Sequence, residues 1–373
     1  GGTIEATLTP TTQQMTGTVL NHPNLPTMVW TLTQLVKNDG FGNVETINYT
    51  YKDGRVWFDG VLGERKFAGF GTITESSLNG VTTTYYHQAN TTDSTHGEYL
   101  DSFAKIGKPY RVEKYDTAGN LYNKTIYKWD EFTTLYGNTF LKLAQKLDFA
   151  YDGNVSHRDK GETYAYDNTT GNQTSKTEWG EVSGADDGSF TDTGSDLRTT
   201  TFTYATGSSV GVLGALSQET VTNQSSVKVK ESKTSYDNLA FGTVGKGNAT
   251  KQESWKTGTS YVNTTKTYDT YGNVIQATDP LSKITSYAYD AYHLFPATIT
   301  NALGHATSYV YNYGIGKAKQ ITDANGYVSQ VVYDGHGRVL QELQSDFTIP
   351  STLVVKTLYT YTDTPLAVST QKT

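Results

Sequence analysis

Between residues 268 and 343 apolar and polar side chains alternate with a period of two, and a turn signal interrupts the alternation every few residues. Tyr327, Ser329, Val331 and Tyr333 fall on one face of an extended chain, with Val328, Gln330 and Val332 on the other. Asp323-Ala-Asn-Gly326 before them and Asp334-Gly-His-Gly-Arg338 after them carry turn chemistry: an Asp to close an Asx turn and a Gly to accept positive φ. Val339–Leu343 then returns as the next strand. The unit recurs. Asp279–Asp290, Asn301–Asn312 and Asp323–Asp334 align without gaps over twelve positions, and a Thr precedes each (Thr278, Thr300, Thr322). Each copy predicts strand, turn, strand, turn. A lone two-stranded ribbon is marginal in water, so the copies must pair edge to edge into a long antiparallel sheet. The Tyr residues are expected to form a cross-strand column along it.

Aromatic-acid steps mark the same period elsewhere, at Tyr115-Asp116, Tyr166-Asp167, Tyr236-Asp237, Tyr268-Asp269, Tyr289-Asp290 and Tyr333-Asp334, with Tyr311-Asn312 as a variant. The first 110 residues are less regular. They predict one hairpin over Ile47–Phe58 about an Asp53-Gly54 turn, and another over Ser77–Tyr86 about Asn79-Gly80. Ser183–Ser195 reads as a long loop or hairpin tip, Gly207–Gly214 as a second loop, and Leu135–Leu147 as strand rather than short helix. We divide the chain into an irregular β strip, 1–110, continuous with a repeat region, 111–373. The Gly1-Gly2 start and the ending in mid-pattern suggest a piece of a longer protein.

Composition narrows the class. Listing Thr first, at 62 of 373 residues, together with 28 Tyr and only 2 Met, the chain favours half-wet strands over helices. No Cys is present, which excludes disulfides, thiolate nucleophiles and Cys-ligated zinc. A net charge of −7 argues against nucleic acid and anionic membrane as partners, and no apolar run is long enough to span a bilayer.

The repeat resembles that of the Rhs/YD-repeat family, which includes the shell-forming components of insecticidal toxin complexes, related polymorphic toxins and the teneurins. The residues that carry the resemblance are Tyr268, Asp269 and Gly272 with Asn273; Tyr289 and Asp290; Gly304; Tyr311; Gly326; and Tyr333, Asp334, Gly337 and Arg338. The runs Gly63–Phe70, Thr84-Tyr-Tyr-His-Gln88 and Tyr115–Asn120 are similar to the strip that precedes the repeats in the toxin members. Two departures stand out. Ser282 occupies a Gly seat, and His293-Leu294 replaces the Gly272-Asn273 of the preceding unit, which puts the geometry of those two turns at issue. The resemblance implies an all-β spiralling sheet that forms a shell or part of one, around a toxic polypeptide or as an extracellular scaffold. The downstream core that releases cargo in toxin members has no equivalent here. The residues named above are therefore expected to hold the fold, with none catalytic, cofactor-binding or metal-binding.

Other chemical patterns lack their context. Gly207-Ser-Ser209-Val-Gly211 has the letters of a nucleophile elbow without the strand-to-helix setting that aims the Ser. The seven His show no zinc spacing, and His87 is expected to be packed or hydrogen-bonded, with His305 and His336 solvated in turns. Asp186, Asp187, Asp192 and Asp196 do not follow a calcium loop and read as a solvated acidic turn. Trp57, Trp129, Trp179 and Trp255 read as packing residues before sugar platforms. The expectation is a non-enzymatic structural segment, extracellular or displayed on a bacterial surface, with cargo polypeptide or further shell segments as partners and no cofactor. The alternative is an adhesion module for a glycan or receptor; a polysaccharide-active enzyme is a distant third.

Overall fold

A computed structural model describes residues 2–372 except 59, 61–63, 134–136, 138, 208–210, 347, 350–351 and 364–365. Strand pairing assigns 25 strands to one sheet, and every pairing between its consecutive strands described below is antiparallel. Among the described residues there are short 3₁₀ turns and no α-helix, and so none long and apolar enough to cross a membrane. The chain divides into two compact units, Gly2–Thr203 with Glu219–Lys230, and Tyr204–Gln218 with Glu231–Thr373.

In the first unit the chain meanders through Thr3–Pro10, Trp30–Asn38, Val44–Lys52, Thr72–Ser77, Gly80–Tyr86, Pro109–Tyr115, Leu121–Thr133, Thr139–Ala150, Arg158–Tyr166 and Gln173–Gly184, each strand beside the last. Its core is small: Ile126, Leu147, Phe149 and Val182, with Tyr151, Trp179 and Phe190 packed on it. Register explains its position. Ile126 faces Leu147, Leu147 faces Gly161, and Gly161 faces Gly180. The glycine rows leave room for Phe190 to fold over them, within 3.2 Å of where a Cβ on Gly161 would stand. Phe190 arrives there because the 183–195 stretch is a hairpin tip, with Gln173–Gly184 turning back into Phe190–Asp192.

The Ser77–Tyr86 hairpin forms, but with Ser77 paired to Gly80 so that Leu78-Asn79 and not Asn79-Gly80 make its turn, and Thr139–Ala150 is strand; residues 135, 136 and 138 of that prediction lie outside the described residues. The Ile47–Phe58 hairpin does not form. Val44–Lys52 pairs instead with Thr72–Ser77, while Arg55–Phe58 leaves for a separate ribbon with Arg65–Gly69. The backbone at the supposed turn is bonded outward. Asp53 N–H donates to Asn21 O (2.8 Å), Gln88 Nε2 donates to Asp53 O (2.7 Å), and Gly54 N–H donates to His22 Nδ1 (3.0 Å).

The second unit holds the regular repeats. Ala249–Thr257, Ser260–Tyr268, Val274–Thr278, Ile284–Tyr289, Pro296–Thr300, Ala306–Asn312, Lys317–Thr322, Val328–Tyr333, Val339–Ser345, Leu353–Asp363 and Leu366–Lys372 pair each with the next. Ala205, Ala215 and Val244 form its buried cluster, with Val212 and Tyr236 against them. The chain exposes 22305 Å², against about 14,700 Å² for a compact monomer of its mass. Much of this sheet is wet on both faces.

Candidate functional site

One turn design recurs throughout the repeats. In the turn opened by Asp269, its Oδ1 accepts the N–H groups of Tyr271 and Asn273, both at 2.9 Å. Asp279 does the same for Leu281 and Lys283, Asp290 for Tyr292 and Leu294, Asn301 for Leu303 and His305, Asp323 for Asn325 and Tyr327, and Asp334 for His336 and Arg338. The residue three places after each acid or amide sits in the left-handed region: Gly272, Ser282, His293, Gly304, Gly326 and Gly337, with φ from +56° to +88°. This is a type I turn followed by a left-handed residue, the usual three-residue hairpin loop. Ser282 (φ +61°) therefore keeps the geometry that its side chain disfavours, whereas the His293 turn (φ +56°) is one residue longer, closing from Asp290 N–H to Phe295 O where the preceding unit closes from Asp269 N–H to Asn273 O.

Three of these acids, Asp269, Asp290 and Asp334, are held ionised by these bonds. Asp334 is the extreme case, brought down to about 2 by the Arg338 side chain and backbone, with Arg338 Nε donating to Oδ2 at 2.7 Å. Arg338 also lies over the Tyr361 ring at 4.5 Å. Asp269 and Asp290 are lowered as well: desolvation opposes the shift, but the turn N–H bonds outweigh it.

Five of the Tyr residues that stand before an acid or amide turn do something the alternation does not reveal. Each hydroxyl donates to a main-chain carbonyl of an earlier strand or its edge: Tyr268 to Ala249 (2.7 Å), Tyr311 to Pro296 (3.0 Å), Tyr333 to Ala318 (3.2 Å), Tyr236 to Leu216 (2.8 Å) and Tyr166 to Leu143 (3.0 Å). A one-residue register shift precedes each of these and Tyr289, between 267 and 268, 288 and 289, 310 and 311, 332 and 333, 235 and 236, and 165 and 166. The expected Tyr column is corrected by this. Tyr268 faces Val274, Tyr289 faces Pro296, Tyr311 faces Ala318 and Tyr333 faces Val339 across the sheet. Ring contacts run instead from Tyr309 to Tyr311 along one strand (6.3 Å) and from Tyr311 to Phe295 (4.6 Å).

A second constellation lies in the first unit, where sequence reasoning found only an isolated histidine. His87 is fully buried, and its Nδ1 lies 2.9 Å from Glu98 Oε1 and 3.2 Å from Asp101 Oδ1. Burial pulls its pKa down, but the bonds to Asp101 and Glu98 and their charges win and hold it above the ordinary imidazole value. Desolvation opposes ionisation of Asp101, yet His87 and the N–H groups of Asn90 and Ala89 keep it below the usual carboxylate range. Lys105, also buried, donates to Tyr99 O (2.8 Å) and Leu100 O (2.7 Å). Glu98 and Asp101 follow His87 by irregular intervals through a segment of 3₁₀ turns, so no periodicity could have paired them.

No family model and no curated protein matches the chain. Among solved structures it is similar to the crystal structure of TcdB2-TccC3, with a TM-score of 0.68 and 14% identity over 97% of this chain and 26% of that one. The TcdB2-TccC3-TEV crystal structure gives 0.69 and 14% over 96% and 26%. The Photorhabdus luminescens Tc holotoxin pore gives 0.65 and 13% over 98% and 24%. The chain shares the fold of the matched quarter of these toxin structures, as its resemblance to the Rhs/YD repeat implies. The chain spans about a quarter of the length of these matched chains.

Within this fold the remaining motifs find structural employment. The four tryptophans singled out above are half-buried: Trp57 packs on Phe103 (4.3 Å), Trp129 Nε1 donates to Pro109 O, Trp179 Nε1 to Thr163 Oγ1, and Trp255 Nε1 to Gly258 O. The acids of the 183–195 tip diverge. Asp186 pairs with Lys124 and Arg111, Asp187 accepts from Ser189, Asp192 from Gly194, and Asp196 from Glu181. His305 and His336 are exposed in turns of the YD repeats. Residues 208–210 of the nucleophile-elbow pattern, and Gly63 of the upstream strip, lie outside the described residues.

Proposed function

We propose that the chain is a wall segment of an Rhs/YD-type shell that encloses a polypeptide cargo outside the cell or at its surface, and that it works mechanically, without catalysis. The observation that carries this reading is the likeness of nearly the whole chain to about a quarter of TcdB2-TccC3. The excess of exposed surface supports it, because a wall needs two wet faces and a globule needs one. In this reading the Asp-capped turns fix the spacing of the hairpins and the Tyr hydroxyls lock each hairpin to the one before.

The test uses the natural-length protein that contains this segment, with an unfolded, tagged polypeptide as cargo and a broad-specificity protease outside. The expected result is a tag that survives until the shell is denatured. Digestion as fast as that of the free polypeptide would overturn the proposal.

The second reading, adhesion to a glycan or receptor, rests on Tyr271 and Tyr292, which are 68% and 69% exposed on neighbouring turns. It requires Tyr271→Ala with Tyr292→Ala to abolish binding to glycans or cells and leave melting unchanged.

A further inference from the structure

Glu98 and Asp101 are nearly dry, with side chains 5% and 2% exposed, and both aim an oxygen at the same imidazole nitrogen. His87 Nδ1 has one proton to give to two carboxylates. The neighbouring buried cations are engaged elsewhere, Lys105 on Tyr99 O and Leu100 O, and Arg111 on Glu113 and Asp186. Arg55 lines the same cavity but places its guanidinium on Asn90 Oδ1 (2.8 Å), so the two dry carboxylates share one imidazole as their direct cationic partner, and buried carboxylates are stabilised by a further cation. We propose that His87, Glu98 and Asp101 hold a divalent transition-metal ion of the zinc class, as a staple that ties the loop after Tyr86 to the sheet.

Geometry supports it. The separations of 2.9 and 3.2 Å are close to the ~3.3 Å edge of a tetrahedron whose metal–ligand bonds are ~2.0 Å. The rest of each carboxylate is fixed by main-chain donors, as metal ligands are. Asp101 Oδ1 accepts from Ala89 N–H (3.0 Å), and its Oδ2 accepts from Asn90 (2.6 Å) and Gln88 (3.3 Å). Glu98 Oε2 accepts from Asp93 N–H (2.5 Å). Among the described residues His87 Nε2 is buried with no hydrogen-bond partner, and the polar contacts of the ring are those of Nδ1 with the carboxylate pair. Glu98 and Asp101 also line a polar cavity of about 310 Å³ with Arg55, Asp53, Asp93 and Tyr85, which would give the ion a way in and a water ligand room. One nitrogen and two carboxylate oxygens suit Zn²⁺.

The test starts from the purified chain stripped with EDTA and titrated with ZnCl₂, following bound zinc per chain and the melting temperature. One tightly held zinc is expected, with a melting rise of roughly 3–4 °C at a hundredfold excess over Kd. Glu98→Gln keeps the side chain's size and should weaken zinc binding at least about tenfold, whereas His305→Gln, on an exposed turn, should change nothing. A wild-type melt indifferent to zinc, or a Glu98→Gln variant as responsive as wild type, overturns the proposal. If Glu98→Gln does not fold, cobalt titration of the wild type decides: visible bands of four- or five-coordinate Co²⁺ support the site, and the spectrum of hydrated Co²⁺ alone contradicts it.

Discussion

At position 326 the backbone has φ +85°, with open space where a Cβ would project. A valine there meets no clash with neighbours but cannot hold the torsion, and Gly326→Val should cost more than ~1 kcal/mol in equilibrium unfolding. Ser282 supplies the mirror experiment, since it already occupies the same seat at φ +61°. Ser282→Gly should stabilise by about 0.5 kcal/mol, and a destabilised variant would mean that Ser282 is held there by something other than turn geometry. The hydroxyl clamp is tested by Tyr333→Phe, which deletes only the donor to Ala318 O. A loss of ~0.5–1.5 kcal/mol is expected; no loss would show that the aromatic ring alone fixes the hairpin. The turn glycines were legible in the sequence because positive φ has few chemical solutions. The clamps were not: a tyrosine read as one face of a strand reveals nothing of where its hydroxyl ends.

Hairpins are joined here by turns that depend on ionised acids, which makes acid sensitivity a property of the elements together. Asp116, Asp167, Asp269, Asp290 and Asp334 all titrate below the ordinary carboxylate value in the fold, Asp334 at about 2. A carboxylate with a depressed folded pKa stabilises the fold above its unfolded pKa, and that stability is lost as pH falls through the folded one. The melting temperature should therefore be flat down to about pH 4–5 and fall between about pH 4 and 2. A flat melting curve to pH 2 at constant ionic strength would show that the caps are ornamental. Strand identity and the Asp-x-x-Gly turns could be read from alternation in the repeats. The register shift before each Tyr could not, because a bulge adds no residue type of its own. The Asp53-Gly54 turn misled for a related reason: its letters are those of a hairpin, but its backbone bonds are taken by Asn21, Gln88 and His22, which are distant in sequence. The His87 cluster was hidden in the same way, its carboxylates being brought in by loop closure.

For the molecule as a whole the central claim is that the sheet serves as wall and not as the skin of a solid core. Composition pointed there through scarce apolar residues and abundant Thr and Tyr, and the exposed area of 22305 Å² agrees with it. The chain spans about a quarter of the length of the chains it resembles. The most direct measurement is small-angle X-ray scattering of the purified chain at several concentrations. A compact chain of 373 residues has a radius of gyration of about 21 Å. The account predicts a value above about 25 Å, with a pair-distance distribution skewed to long vectors as a thin curved wall requires. A radius near that of the compact chain, with a symmetric distribution, would contradict it.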